Sequence, residues 1–156
     1  MANVAFEIVH CFDAPAHTVW EALIDWAGHA DWVPMTRVDV EPGDPAAVGA
    51  TFTAWTGLGP LALQDRMRVT RLDWDPADAT GACEVEKIGP VLTGRAGFTV
   101  TPVGSGCELR WTEDVTVPVV PQLFSPIVGK LGAVGFSLAI RRLAKSLGTK
   151  PAATTR

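Results

Sequence analysis

Alternation of apolar and polar residues dominates the middle of the chain. Seven segments follow this period of two, and turn-rich stretches of glycine, proline and aspartate separate most of them. The segments run over residues 4–12, 35–40, 49–58, 61–72, 82–88, 93–101 and 107–117. This pattern predicts one strand near the start of the chain and a meander of six strands after it.

The last long apolar segment, residues 125–147, changes to the helical period. Ser125 is suited to the N-cap, Pro126 to the first helical position and Gly148 to the stop. At 100° per residue, one stripe along this predicted helix faces the interior. The stripe consists of Val128, Gly129, Gly132, Phe136, Ala139, Leu143 and Leu147.

Glycines fill the first half of this long helix. Each glycine inside a helix costs about 0.5–1 kcal/mol relative to alanine. Gly129, Gly132 and Gly135 therefore predict space that is kept open beside the helix rather than filled. We interpret them as the sign of a pocket, and Gly132 lies on the inward stripe.

Two shorter helices are predicted between the first and second strands. Asp13 is placed to cap and Pro15 to start the first, whose apolar side carries Val19, Trp20 and Leu23. The second spans about 28–32 and stops before a proline. Two histidines, His17 and His29, are predicted on the surfaces of these helices.

Composition indicates one soluble domain. The chain has 156 residues, 47% of them hydrophobic, so residues 1–148 are predicted to form a single domain, followed by a disordered tail at 149–156. A net charge of −4 argues against nucleic acid as a partner. The first residues lack the features of a signal peptide, which predicts a cytoplasmic protein.

Few motifs of metal, cofactor or membrane chemistry are present. The three cysteines are far apart, which fits reduced thiols better than a disulfide framework or a zinc site. No nucleotide, metalloprotease or serine-hydrolase motif occurs, and no cofactor is predicted. Residues 115–140 are apolar enough to suggest a transmembrane helix, but the prolines within them are predicted to break it.

Four short sequence elements carry a resemblance to a known superfamily. They are residues 13–20, the pair Asp25-Trp26 with Trp32-Val33-Pro34, residues 48–52, and Phe98-x-Val100-x-Pro102 leading to Gly106-x-x-Leu109. With this order of elements, the chain resembles the START-type helix-grip superfamily, in its bacterial polyketide cyclase/dehydrase-like (SRPBCC) branch. The resemblance implies an α+β helix-grip fold, in which a curved seven-stranded antiparallel sheet wraps around the C-terminal helix. It also implies a cavity for an apolar ligand between them.

Members of that superfamily include lipid and sterol carriers, quinone-binding proteins and aromatase/cyclases, so the fold does not choose the function. We expect the chain to bind, for carriage or sensing, a hydrophobic small molecule such as a lipid, quinone or polyketide. The residues predicted to line its pocket are Phe52, Asp65, Met67, Lys87, Phe98, Trp111, Glu113, Gly132 and Phe136.

Three ionisable residues of this set fall on inward-facing strand positions by parity. They are Asp65, Lys87 and Glu113, and Trp111 shares the face of Glu113. The turn at 104–106 predicts a register that leaves one strand between Glu113 and Lys87. The same register sets Trp111 opposite Phe98 and Glu113 opposite Ala96.

An acid–base enzyme is the first alternative. A carboxylic acid in an apolar cavity has a raised pKa, so Glu113 with His10 as partner would suit an aromatase/cyclase-like reaction. The competing interpretation is a structural ion pair between Glu113 and Lys87. With no cation nearby we expect the pKa of Glu113 to be raised, and with Lys87 in reach we expect it to be lowered.

An interaction module is the second alternative. The long helix carries a second apolar stripe, made of Ile127, Leu131, Val134 and Leu138. A helix buried on one face does not need this second stripe. It is predicted to meet a second subunit in a homodimer, a membrane surface in a peripheral contact, or the loop 118–124 folded back on it.

Overall fold

A computed structural model of the chain describes residues 1–148. Its helices are α1 (Ala16–Ile24), α2 (His29–Trp32) and α3 (Ser125–Gly148). Its strands are β1 (Ala2–Phe12), β2 (Thr36–Val40), β3 (Thr51–Thr56), β4 (Leu63–Asp75), β5 (Thr80–Ile88), β6 (Thr93–Val103) and β7 (Gly106–Val117). The predicted order of elements is therefore confirmed, and the tail predicted at 149–156 lies outside the described residues.

The seven strands form one antiparallel sheet in the order β1-β7-β6-β5-β4-β3-β2. From β2 to β7 each strand pairs with the next in sequence, and β1 joins the outer side of β7. Trp111 pairs with Phe98 and Glu113 with Ala96, as the turn between β6 and β7 predicts. The helix-grip architecture is confirmed, with α3 lying along the inner face of β1.

The core lies between the inner face of the sheet and the helices. Trp20 on α1 is 4% exposed and packs between Trp74 and Phe98, with ring centroids 5.6 Å apart in both pairs. A Cβ atom at Gly81 would lie only 2.3 Å from the Trp20 ring, so β5 needs glycine where α1 crosses it. Trp20 is thus a packing residue, which closes the α1 end of the sheet.

Two details of the helix starts differ from the prediction. The N-cap of α1 is Pro15 and makes no side-chain capping hydrogen bond, so neither Asp13 as cap nor Pro15 as the first helical residue is correct. Helix α3 begins at Ser125 itself, so Ser125 is the first helical residue and not the N-cap, and its hydroxyl donates to the main-chain oxygen of Asn3 at 2.6 Å. This bond fixes the start of α3 to β1, because it joins helix and strand at their ends.

Helix α3 buries only part of its apolar surface. Ala139, Ile140 and Leu143 are buried in the core. The second apolar stripe is exposed, with Leu131 at 68% and Leu138 at 51%, and the neighbouring loop leaves it uncovered. The folded-back loop is therefore excluded as its cover, and contact with a subunit or a lipid surface stays a prediction.

The segment Gln122–Gly148 is long and apolar enough to cross a membrane by length and composition, with a mean hydropathy of 1.6. As the prolines predict, no helix covers residues 115–140: β7 ends at Val117, Pro118 and Pro121 lie in the connection, and α3 begins only at Ser125, with Pro126 in its first turn. Core helices that are mostly buried pass the same test of composition, but only 11% of this window is buried, and its core residues are Ala139, Ile140 and Leu143.

Candidate functional site

A cavity of about 570 Å³ lies between α2, α3 and the inner face of the sheet. Its walls are mostly apolar side chains of every strand from β1 to β7. All nine residues predicted for the pocket line it: Phe52, Asp65, Met67, Lys87, Phe98, Trp111, Glu113, Gly132 and Phe136. Strand parity and the helical stripe therefore identify which side chains face the space between sheet and helix.

Aromatic rings form much of the cavity wall. Phe98 and Trp111 stack across β6 and β7 with centroids 5.3 Å apart, and Phe136 of α3 lies 5.1 Å from Trp111. On another wall Trp26 stacks on Phe52 at 4.5 Å with an interplanar angle of 10°. The predicted inward position of Trp111 is thus confirmed. These stacked rings give the cavity a largely aromatic wall.

One polar cluster interrupts the apolar wall. The Lys87 ammonium lies 2.5 Å from Asp65 Oδ2 and 3.5 Å from Glu113 Oε2. Lys87 and Glu113 are each about 4% exposed at the side chain, and Asp65 is 18% exposed. Three ionisable groups are therefore gathered on the floor of a mostly apolar cavity.

Small residues on β6 allow this cluster to form across a strand. Lys87 pairs with Gly94, and Glu113 pairs with Ala96, so little side-chain volume separates them. Gly94 has a φ of 124°, and a Cβ atom there would lie 2.3 Å from the main-chain oxygen of Asp114. Glycine is required at this position by its positive φ and by the close approach of β7.

The environment of Glu113 raises its pKa. Burial is the largest cause, while the Lys87 ammonium and the hydrogen bond from Trp111 Nε1 at 3.1 Å act in the opposite direction. The prediction that Lys87 within reach would lower this pKa is wrong. Lys87 lies closer to Asp65 than to Glu113, and its attraction does not overcome the loss of hydration.

The other two members of the cluster form its tightest contact. Burial lowers the pKa of Lys87, but attraction to Glu113 and Asp65 outweighs it, so the net direction is upward and the ammonium stays protonated. Asp65 uses only Oδ2 in this pair. Its Oδ1 is buried and has no hydrogen-bond partner among residues 1–148.

His10 does not join Glu113. Along the β1–β7 pair, Phe6 is opposite Glu113 and His10 is opposite Leu109, four residues further along the strand. That separation is about 13 Å, at ~3.3 Å per residue. His10 also lies outside the cavity lining, near Arg141, and its pKa is lowered by burial and by that cation. The predicted catalytic pair of Glu113 with His10 is therefore wrong.

His29 is a cavity residue that the sequence prediction placed on a helix surface. It donates from Nε2 to the main-chain oxygen of Leu23 at 2.7 Å, and its ring lies 4.6 Å from Trp32 and 5.5 Å from Trp26. Burial lowers its pKa, partly offset by the Leu23 contact. In the sequence, His29 lies three residues after Trp26 and three before Trp32. This spacing is the feature that indicates a histidine packed between tryptophans.

The mouth of the cavity is apolar and exposed. Met35 before β2 is 64% exposed, Leu63 of β4 is 42% exposed and Leu138 of α3 is 51% exposed, and all three line the cavity. We call these three residues the rim. A ligand that enters between α3 and the β2–β4 part of the sheet would therefore pass apolar side chains before it reaches the cluster.

The glycines of α3 play different parts beside this cavity. A Cβ atom at Gly132 would lie 3.1 Å from Phe6 Cε1, and one at Gly129 would lie 3.3 Å from Val4 Cγ1. Gly135 also lines the cavity and has nothing within 4 Å of its would-be Cβ. Gly132 thus mainly permits close packing of α3 on β1. The glycine that faces open space is Gly135, near the rim.

With this site in view, comparison with known proteins assigns a family. The model of the family described as "Polyketide cyclase / dehydrase and lipid transport" matches residues 3–150. The chain belongs to this family. No curated protein sequence gives a significant match.

Solved structures share the fold at low identity. The Zhui aromatase/cyclase from Streptomyces sp. R1128 is 19% identical with a TM-score of 0.68, over 99% of both chains. A START superfamily protein from Mycobacterium smegmatis is 17% identical with a TM-score of 0.69, over 92% of this chain and 97% of that one. Protein CV1439 from Chromobacterium violaceum is 17% identical with a TM-score of 0.65, over 94% and 98%. These similarities establish the helix-grip fold. They do not choose between the two functions in the family description, polyketide cyclase/dehydrase activity and lipid transport.

Proposed function

We propose that the protein binds a hydrophobic small molecule in the cavity between the sheet and α3, and carries or senses it. The observation that supports this most is the combination of about 570 Å³ of mostly apolar space with one ionisable cluster, Asp65, Lys87 and Glu113, among the lining residues that the structure describes. Small-molecule sites usually occupy about 300–1,000 Å³ and place a few polar groups in apolar walls. The polar groups orient the ligand, and the apolar walls supply most of its affinity.

The wall favours a ligand with a flat ring system. Stacked rings stand on two sides of the space, at Phe98 with Trp111 and at Trp26 with Phe52. Aromatic faces contact other rings in offset or edge-on arrangements worth about 0.5–1.5 kcal/mol beyond area burial. A quinone or an aromatic polyketide would gain such contacts from the rings that line the cavity, and a saturated chain would not.

Native mass spectrometry of freshly purified protein tests this proposal. We expect a co-purifying apolar molecule that adds one discrete mass to the chain. The control is Ala54→Trp, because Ala54 lines the cavity on β3 and an indole there would fill ligand space. The variant should melt at or above the wild-type temperature and lose the added mass. A bound mass that persists in the variant would place the ligand elsewhere.

An acid–base enzyme is the second candidate, and the raised pKa of Glu113 supports it. A protonated Glu113 could donate its proton to a substrate carbonyl oxygen as a new carbon–carbon bond forms. The Asp65 carboxylate is the base within the same cluster that could accept the proton lost from the attacking carbon. His10 has no part in this scheme.

Incubation with a short poly-β-ketone thioester analogue tests the enzyme. Cyclised or dehydrated product formed faster with wild type than with Glu113→Gln would support it. Equal rates for wild type, variant and buffer, together with tight binding of the analogue, would leave binding as the function.

A further inference from the structure

Exposed apolar side chains are concentrated on α3 and on the loop before it. The stripe on α3, between 51% and 68% exposed, consists of Ile127, Leu131, Val134 and Leu138. In the preceding loop Leu123 is 83% exposed. Only 11% of the most apolar window within Gln122–Gly148 is buried. The stripe is therefore an apolar surface that residues 1–148 leave uncovered, which is typical of an interaction site.

A second group of exposed apolar side chains stands on the other side of the cavity mouth. Leu58 and Leu61 lie in the turn between β3 and β4 and are 73% and 87% exposed. The main-chain N–H of Gly57, where this turn begins, donates to the main-chain oxygen of Met35 at 2.9 Å, so the turn lies beside the rim. Met35 has a φ of 52°, which is uncommon for a residue with a side chain, and it is exposed at the mouth. Apolar surface therefore borders the mouth on both sides.

The charge of α3 is opposite to that of the whole chain. The chain has a net charge of −4, yet no aspartate or glutamate follows Asp114. Helix α3 carries four exposed cations, Lys130, Arg141, Arg142 and Lys145. At 100° per residue, each of them lies within about 70° of the middle of the apolar stripe. One face of α3 therefore presents apolar side chains and cations, with no acidic residue of its own.

We propose that this face docks on an anionic lipid bilayer, with the mouth of the cavity toward the lipid. Helices that lie in a bilayer surface bury an apolar face and attract anionic headgroups with lysine and arginine. A second copy of the chain matches this face less well, because its α3 would bring four more cations and no acidic residue. Docking leaves the fold intact, since Ala139 and Leu143 on the other face of α3 stay in the core.

Co-sedimentation with vesicles tests the proposal. The vesicles consist of phosphatidylcholine alone or of an equal mixture of phosphatidylcholine and phosphatidylglycerol. We expect the protein to bind the mixed vesicles and to bind phosphatidylcholine alone weakly. Added sodium chloride should weaken the binding, because salt screens the attraction between the cations and the headgroups.

Leu131→Glu identifies the helix face. The variant places a carboxylate in the middle of the stripe, at a residue that is 68% exposed, so it should melt like wild type and lose binding to the mixed vesicles. Val103→Glu is the matched control, because Val103 is 56% exposed at the end of β6 and the change in charge is the same. This control should keep the binding.

Two further variants test the cations and the orientation. Lys130→Gln combined with Arg142→Gln should lower the affinity for mixed vesicles about thirtyfold, since each cation near an anionic surface contributes about fivefold. Arg68→Gln combined with Arg95→Gln removes the same charge from exposed positions on β4 and β6 and should change the affinity less than about threefold. Leu61→Glu should also weaken binding, because it places a carboxylate on the other side of the mouth.

Several results would overturn the proposal. They are no binding of folded wild type to either vesicle, equal binding to both compositions, and binding that survives Leu131→Glu. A dimer that Leu131→Glu converts to a monomer, with no vesicle binding, would assign the face to a second copy instead. Full binding by Leu61→Glu would overturn the orientation of the mouth toward the lipid.

Docking would let a hydrophobic ligand pass between the bilayer and the cavity without crossing water. This step rests on the proposed binding function, whereas docking itself does not. A neutral fluorescent probe, N-phenyl-1-naphthylamine, measures binding in the cavity without vesicles. Probe binding without vesicle binding would overturn docking and leave the binding function standing, and vesicle binding without probe binding would do the reverse.

Discussion

The Lys87 ammonium lies 2.5 Å from the Asp65 carboxylate, and the Lys87 side chain is only about 4% exposed. This pair is buried in a wall of apolar side chains, with Glu113 as a third member at 3.5 Å from Lys87. Burial of charges is tolerated there because each has a partner. The cluster therefore brings the lysine and the two acidic residues of the cavity lining together at one place.

Lys87→Met should be strongly destabilising. The change leaves two buried carboxyl groups without their cation, which typically costs about 3–5 kcal/mol. Arg71→Met is the matched control, since Arg71 pairs with Asp73 at 2.6 Å but both side chains are at least half exposed, and such pairs contribute about 0–1 kcal/mol. Urea denaturation measures both. Equal losses for the two variants would show that the Lys87 cluster is open to water.

The pH dependence of stability should report Glu113. A pKa that is higher in the folded state contributes stability that is fully present below the ordinary value of 4.5 and is lost as pH rises through the folded value. Gln cannot ionise, so Glu113→Gln should gain melting temperature relative to wild type as the pH rises above 4.5. Thermal melts of both proteins over a series of pH values measure this gain.

Glu86→Gln is the control for that comparison, because Glu86 is exposed on the other face of β5. Its difference from wild type should stay constant over the same range. A constant difference for Glu113→Gln as well would mean that its carboxyl group titrates alike in the folded and unfolded chains.

Strand parity predicted the lining of the cavity because each strand has one inward face. Asp65, Lys87 and Glu113 were all placed correctly by this rule, and the short turn between β6 and β7 fixed the register. Parity predicts which face of a strand a side chain occupies, but it does not predict how far apart two side chains lie along paired strands. For this reason His10, which shares the face of β1 with Phe6, was wrongly paired with Glu113.

Helical periodicity was less reliable for the site. Helix α2 spans only His29–Trp32, so it has about one turn and no apolar stripe from which to read its orientation. The role of Gly132 depends on the approach of Phe6 from β1, a tertiary contact that no local pattern encodes. The direction of the pKa of Glu113 likewise depends on the balance of burial and a cation at 3.5 Å.

The glycines of α3 should respond differently to substitution by leucine. Gly135→Leu removes the helix cost of glycine, about 0.5–1 kcal/mol, and meets no neighbour at its Cβ, so the protein should be as stable as wild type or more so. Its side chain stands near the rim and should weaken probe binding. Gly132→Leu would press on Phe6 and should cost about 1–3 kcal/mol by overpacking. Thermal melts with probe titrations distinguish them, and the reverse order of stability would contradict this account of α3.

The cysteines should differ in reactivity. Cys11 is exposed, whereas burial raises the pKa of Cys83 to about 12 and that of Cys107 to about 11. The thiolate is the reactive form, so Ellman's reagent at neutral pH should label Cys11 alone in the native protein. In denaturant all three thiols should react. Rapid labelling of a second thiol in the native state would contradict the burial of Cys83 or Cys107.

Titration of the protein with N-phenyl-1-naphthylamine tests the claim that the space between the sheet and α3 is a ligand site. We expect an increase in probe emission that saturates at one probe per chain, with a matching change in tryptophan emission because Trp111 and Trp26 line the cavity. Ala54→Trp, which fills that space, should melt normally and lose the saturable binding. Emission that stays unchanged, together with no heat in calorimetry, would contradict the claim.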